Sequence, residues 1–141
     1  MANEFARNIQ DGSINPSSTF TLPSALSLST TSSVIDLGTD TVKCEMVELE
    51  LAVPSLTSTM NPSAATGGVT YIIESSTTSA FSAVARTIVS KTIAGSTVAT
   101  AATALRTRVP SDCERYVRGK ITFAATTADA STLAATLSAR F

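Results

Sequence analysis

Four arginines make the densest chemical cluster in this chain of 141 residues: Arg106 and Arg108 two positions apart, then Arg115 and Arg118 three apart. A guanidinium grips carboxylate or phosphate through paired N–H donors, so the spacing suits an anion or an acidic protein surface. If residues 110–114 form a hairpin loop, Arg106 faces Arg118 and Arg108 faces Tyr116. Like charges set opposite one another repel, and a carboxylate from this chain's own acidic half or from a partner would relieve them. The plain alternative is a solvated basic face, since exposed ion pairs contribute little. Nucleic acid is the weaker reading, because the pI is about 5.3 and aromatic residues make up only 5% of the chain.

Acid–base and nucleophilic chemistry finds little to work with. There is no histidine, which removes Ser-His-Asp and Cys-His systems and the commonest transition-metal ligand. Cys44 and Cys113 are too few for a four-thiolate zinc site. Gly67-Gly68 is an isolated pair that reads as a turn, and neither a Ser-X-X-Lys nor a Gly-X-Ser-X-Gly signature occurs. Any two of the eleven acids could converge to hydrolyse a glycoside, but Glu45, Glu48 and Glu50 read more simply as the solvent side of one strand. Asp36 and Asp40 flank Gly38 as turn formers rather than calcium ligands. No catalytic, cofactor or metal residue is therefore assigned, no small-molecule substrate is expected, and a non-enzymatic role is the expectation.

Compartment follows from similar absences. Met1 to Gln10 has no apolar signal core, and no run approaches the roughly 20 apolar residues of a membrane helix. Both Asn-X-Ser matches, at Asn15 and Asn61, carry proline in the middle and cannot be glycosylated. The two cysteines are expected to be reduced thiols filling small buried volumes.

The elements that would carry these residues read as strands. Leu, Ile, Val and Phe are frequent enough for a core, while 20 Ser and 23 Thr favour pleated sheet and its turns. Residues 33–37 form a short strand closed by Gly38. Residues 43–53 alternate with a slip at Val47–Glu48, where a β-bulge is expected. Val69, Tyr71 and Ile73 alternate, as do Leu105, Thr107 and Val109 against Arg106 and Arg108. Val117, Ile121 and Phe123 face inward with Tyr116, Arg118, Lys120 and Thr122 outward, and residues 133–141 alternate most cleanly of all. Phe81 anchors a loop before a strand near 85–93, and residues 96–104 read as loop. The fold class expected is all-β, an antiparallel β-sandwich of about eight strands over residues 31–141, probed as a jelly roll or an immunoglobulin-like arrangement, with the jelly roll favoured.

Residues 1–30 differ, with Asp11-Gly12, Asn15-Pro16 and Leu22-Pro23 punctuating irregular apolar positions that include Phe5, Ile9, Phe20 and Leu26. They read either as an extended arm lying on a surface or as a frayed terminus. Charge is also uneven: residues 1–85 balance at −6 and residues 86–141 at +5.

Several short blocks in order are similar to capsid cement (decoration) proteins of short-tailed bacteriophages. They are Ser33-Val34-Ile35-Asp36-Leu37-Gly38, then Ile73-Glu74-Ser75-Ser76 with Ala80-Phe81, then Ser90-Lys91-Thr92-Ile93. Residues 105–110 leading into Glu114-Arg115-Tyr116-Val117-Arg118, and the C-terminal alternating run, complete the likeness over roughly residues 32–141. The resemblance implies a jelly roll on the capsid exterior of the virion, assembled in the host cytoplasm. It implies binding to the major capsid protein and self-association as a dimer or trimer, without nucleic acid or membrane. Phe5, Arg7, Ile9 and Phe20 of the arm, with Arg106, Arg108, Arg115 and Arg118, are the expected partner contacts. A receptor- or carbohydrate-binding module of a tail or surface structure is the alternative, against which the lack of tryptophan counts.

Overall fold

The computed structural model describes residues 16–26, 28–38, 47–62, 67–84, 86–124 and 129–140. Among the described residues there are nine strands: β1 (Ser17–Thr21), β2 (Ser29–Thr31), β3 (Ile35–Asp36), β4 (Glu48–Val53), β5 (Gly68–Ser76), β6 (Arg86–Ala94), β7 (Thr103–Arg108), β8 (Tyr116–Phe123) and β9 (Ala134–Arg140). They form two antiparallel sheets, one in the order β1-β9-β4-β7, the other in the order β2-β8-β5-β6 with β3 also on β8. The pairs are nested: first strand with last, β2 and β3 with β8, β4 with β7, β5 with β6.

The core lies between the sheets and follows the period-two pattern. Leu49, Leu51 and Val53 of β4 and Ala135, Leu137 and Ala139 of β9 are buried on one side. Val69, Tyr71 and Ile73 of β5 and Val117, Ile121 and Phe123 of β8 are buried on the other. Burial pushes the Tyr71 phenol up to about 12. Gly119 takes the inward position between Val117 and Ile121, and a Cβ there would lie 3.2 Å from Leu51 Cδ1 and 3.6 Å from both Leu137 Cβ and Phe20 Cε1. The missing side chain lets the two sheets close on one another at that point.

The outer faces carry the hydroxyl groups. Ser29, Thr122, Thr70 and Thr92 stand in one row across the second sheet, with hydroxyl contacts of 3.2 Å for Ser29–Thr122 and 3.1 Å for Thr70–Thr92. Thr19 and Thr136 pair in the same way at 3.0 Å on the first sheet. Threonine thus serves the strand through its branched carbon and the surface through its oxygen.

Two sequence expectations change, and a third lies partly outside the described residues. Residues 17–21 and 29–31, expected in the arm, are β1 and β2 of the sandwich, and Phe20 packs against the core. The register of β4 with both neighbours runs without interruption from Glu48, and the Cys44–Met46 half of the expected slip lies outside the described residues. A bulge occurs between β5 and β6, where Ile73 opposes Val89 but Glu74 opposes Thr87. The extra residue, Ile88, joins Val89 in packing against the core. Residues 103–104, read as loop, belong to β7.

Candidate functional site

The connection from β7 to β8 decides where the arginines go. Residues 109–115 do not close a hairpin but carry the chain from one sheet to the other, pinned by Val109 N–H donating to Val47 O at 3.0 Å and by buried Cys113. Arg106 and Arg118 therefore lie on different sheets, and the expected opposition of Arg106 with Arg118 and of Arg108 with Tyr116 does not occur. The physical reason is the core itself. Leu105 and Val109 on one strand and Val117 and Ile121 on the other bury against each other only when facing across the sandwich.

Three of the four arginines, Arg106, Arg115 and Arg118, then pair with the acidic half of the chain. Arg118 Nε lies 2.6 Å from Glu74 Oε1, its register partner on β5, and the Glu74 side chain is only 5% exposed. The Arg118 guanidinium is also 4.2 Å from the centroid of the Phe81 ring. Phe81 holds a left-handed backbone conformation (φ 49°) that costs a non-glycine residue about 1–2 kcal/mol. Burial of its ring over the cation offsets that cost. Ser76 ties the same loop down, its hydroxyl donating to Ala83 O at 2.8 Å and accepting from Thr78 N–H at 3.2 Å.

On the other sheet Glu50, expected on the solvent side, is 93% buried between two cations. Its Oε2 is 2.9 Å from Arg106 Nε and 3.3 Å from Arg140 Nη2, a contact of charge rather than of an aligned hydrogen bond. Arg86 pairs with Asp112, and exposed Arg108 stands opposite Glu48 in register.

Asp36 makes the turn expected of it, accepting from Gly38 N–H at 2.8 Å while Gly38 adopts φ 80°. Arg115 grips the same carboxylate with two bonds, Nε to Oδ1 at 2.8 Å and Nη2 to Oδ2 at 2.7 Å. The Arg115 hydrogen bond holds the Asp36 carboxyl below its ordinary range against partial desolvation, helped by Gly38 N–H and by the guanidinium charge. A lowered folded value means the pair stabilises the protein above the ordinary carboxylate value of 3.8 and loses that contribution as pH falls through the lower value. Both side chains are more than 40% exposed, so Arg115→Gln is expected to cost less than about 1 kcal/mol at neutral pH. Urea midpoints of the two proteins should converge as the pH drops below 3.8. A gap that stays constant across that range would count against the pairing.

Both edges of the second sheet are guarded. β6 is a nine-residue edge strand, long enough to template another strand. Its Lys91 opposes core-facing Tyr71 and so stands on the inward side, a charge that discourages edge-to-edge pairing. The opposite edge is broken into β2 and β3, with Ser32 bonded both ways to Gly119 between them.

The two ends of the sandwich differ in charge. Strand ends at Thr21, Val53, Ala94 and Phe123 and strand starts at Ser29, Gly68, Thr103 and Ala134 gather at one end, as the registers require. The segments joining them, 22–28, 54–67, 95–102 and 124–133, contain one charged residue, Asp129. Among the described residues three large hydrophobic side chains are exposed: Leu26 (100%) and Val98 (66%) at this end, and Val84 (45%) at the other. Leu26 had appeared among the irregular apolar positions of the expected arm. Val98 had no signal of its own, although the scarcity of charge in these four segments was there to be read. Of the expected contacts, Phe5, Arg7 and Ile9 lie outside the described residues, Phe20 is committed to the core, and Arg106, Arg108, Arg115 and Arg118 are dispersed over two sheets.

Among the described residues no group of three or more His, Cys, Asp or Glu could hold a metal ion, and no helix is long and apolar enough to cross a membrane. No family model matches the chain, and a search of curated proteins returns no match.

Proposed function

We propose that this chain is a structural capsid cement protein, binding the outside of an icosahedral phage head and bridging subunits of the major capsid protein. The observation that carries the reading is the division of its surface. Arg86, Arg106, Arg115, Arg118 and Arg140 are matched to the chain's own carboxylates, while a loop end whose segments carry a single charge, Asp129, exposes Leu26 and Val98. Such a surface suits protein neighbours rather than phosphate or a charged substrate. The nested strand pairs support a jelly roll, and the ordered blocks described from the sequence support the family.

The mechanism is mass action. A neighbour that binds only the folded, assembled state stabilises it by about 2.7 kcal/mol when present at one hundred times its dissociation constant. Repetition over a shell turns modest contacts into avidity.

The test is to mix the purified protein with heads that lack it, sediment them, and follow thermal disruption of the shell. Saturable co-sedimentation with a higher disruption temperature is expected; no co-sedimentation, or recovery on a glycan array instead, would overturn the reading. Deleting residues 1–15 leaves β1 whole and is expected to weaken occupancy severalfold, because Phe5, Arg7 and Ile9 are removed. Unchanged occupancy would take that segment out of the mechanism.

A further inference from the structure

We propose that the free edge of β7 takes an extended acidic segment of another protein as an added strand. The cement reading names a partner, whereas β7 supplies a mode of contact and a chemistry for any partner, capsid or not. β7 closes one side of the first sheet, where it pairs with β4 and, among the described residues, with no strand beyond.

The other three edges of the sandwich are protected. β6 carries the inward Lys91, and the β2–β3 edge is interrupted at Ser32. β1 lies between Pro16 and Pro23, with Ser18 Oγ accepting from Ser33 N–H at 2.9 Å. β7 has none of these devices: it contains no proline, runs along β4 without a register shift, and turns uncharged Thr103, Leu105 and Thr107 inward. Its backbone groups sort by parity. Val109 N–H donates to Val47 O at 3.0 Å in the same register, so the bonds to β4 fall on the odd-numbered residues of β7. The N–H and C=O groups of Ala104, Arg106 and Arg108 therefore point away from β4, and all three residues are exposed. Arg108 O accepts the Thr107 hydroxyl at 3.1 Å, in keeping with a carbonyl turned to the edge. Donors and acceptors on alternate residues are what a strand laid alongside, about 4.8 Å away, requires.

Charge selects what that strand carries. Arg108 makes no ion pair with a described residue. Arg106 directs its Nε at Glu50 but is 58% exposed, which leaves its terminal N–H groups for a second acceptor. The acids lie one strand back: Glu50 is held by Arg106 and Arg140, and Glu48 stands between Arg108 and Arg140 in register. On the inner side exposed Lys91 adds another cation, on the strand that touches β7 across the sandwich. The rim is thus cationic on both sides. Carboxylates two residues apart on an added strand would stand opposite Arg106 and Arg108, and paired charge-assisted bonds would fix its register. The residues between them would turn inward beside Leu105, toward half-buried Val89 and Ile93 of β6, where β-branched apolar side chains fit. A second copy of β7 is the wrong occupant, because it would set Arg106 and Arg108 against themselves.

The test is an NMR titration of the full chain with a blocked peptide alternating Val and Glu, against a control peptide alternating Val and Lys. Slowed amide exchange at Ala104, Arg106 and Arg108 is expected with the acidic peptide alone, with affinity falling as salt rises. Ala104→Pro removes an edge donor and leaves the β4 ladder whole, and Arg108→Glu reverses one rim charge. Each should weaken binding of the acidic peptide by about tenfold or more. Arg108→Glu alters only an exposed side chain, so it decides the matter even if Ala104→Pro does not fold; an unchanged thermal midpoint confirms its fold. Equal binding of the two peptides, native-like binding by Arg108→Glu, or protection confined to other strands overturns the proposal. Edge amides protected without peptide, increasingly at higher protein concentration, would give the edge to a second copy and overturn it too. No heads enter this assay, so failure to bind heads removes the cement reading alone, and failure here removes the β7 edge alone.

Discussion

Arg118→Ala is expected to lower the thermal midpoint by roughly 10 °C, following a loss of about 3 kcal/mol. The substitution leaves the Glu74 carboxylate, 5% exposed, without its counter-charge, and removing one partner of a buried pair is far more damaging than removing both. It also strips the cation from the Phe81 ring 4.2 Å away, so the left-handed residue that anchors the β5–β6 loop loses its cover. Arg118→Lys should recover only part of the loss, because an ammonium cannot both reach the carboxylate with a rigid fork and lie flat on a ring. The double variant Glu74→Leu with Arg118→Leu should be much closer to the native protein than Arg118→Ala. Calorimetry on the three variants decides the matter: equal losses for Arg118→Ala and the double variant would mean that the pair, as an ion pair, is not what Arg118 protects.

Gly68→Ala is expected to destabilise by a similar amount, about 3 kcal/mol, through the backbone rather than through charge. A Cβ at Gly68 would collide with the carbonyl oxygen of Ile93 and come within 2.9 Å of Gly95 N. Neither is the end of a flexible side chain, so the β5–β6 ladder must open where Gly68 pairs with Ala94. Gly38→Ala is the matched control. It has the positive φ of 80° but nothing within 4 Å of the added carbon, so only the conformational cost applies, about 1–2 kcal/mol. Urea midpoints compared at a common slope measure both. Should Gly38→Ala prove the more damaging, close approach of β5 to β6 is not what Gly68 permits.

These two sites also mark where reading the chain residue by residue succeeds and fails. Asp36 near Gly38 announced a turn, because turn chemistry is written in adjacent residues, whereas Gly68 of the pair read as a turn opens β5. The acidic partners of the arginines were anticipated only as a class: a carboxylate from the other half of the chain. Which carboxylate could not be read, since Glu74 and Arg118 are neighbours by virtue of β5 lying beside β8, a pairing with no local signature. Glu50 was misjudged for the same reason. Its place on the outward side of an alternating strand is correct, but β4 is an interior strand, and Arg106 and Arg140 from both flanks cover it.

Phe20 shows the converse error. Irregular spacing among turn residues made the first thirty positions look detached, whereas β1 hydrogen-bonds along β9 and carries Phe20 against the core. A five-residue strand between prolines has too short a pattern to outweigh its surroundings.

Amino-acid order alone indicated that the chain is all-β, which face of β4, β5, β7, β8 and β9 turns inward, and that a strand near 85–93 follows the Phe81 loop, because alternation and β-branching act within a few residues. Three-dimensional packing alone settled sheet membership and the separation of Arg106 from Arg118. An alternating strand can bury its apolar side against any opposing sheet, so its choice of neighbour depends on contacts between residues far apart in the chain.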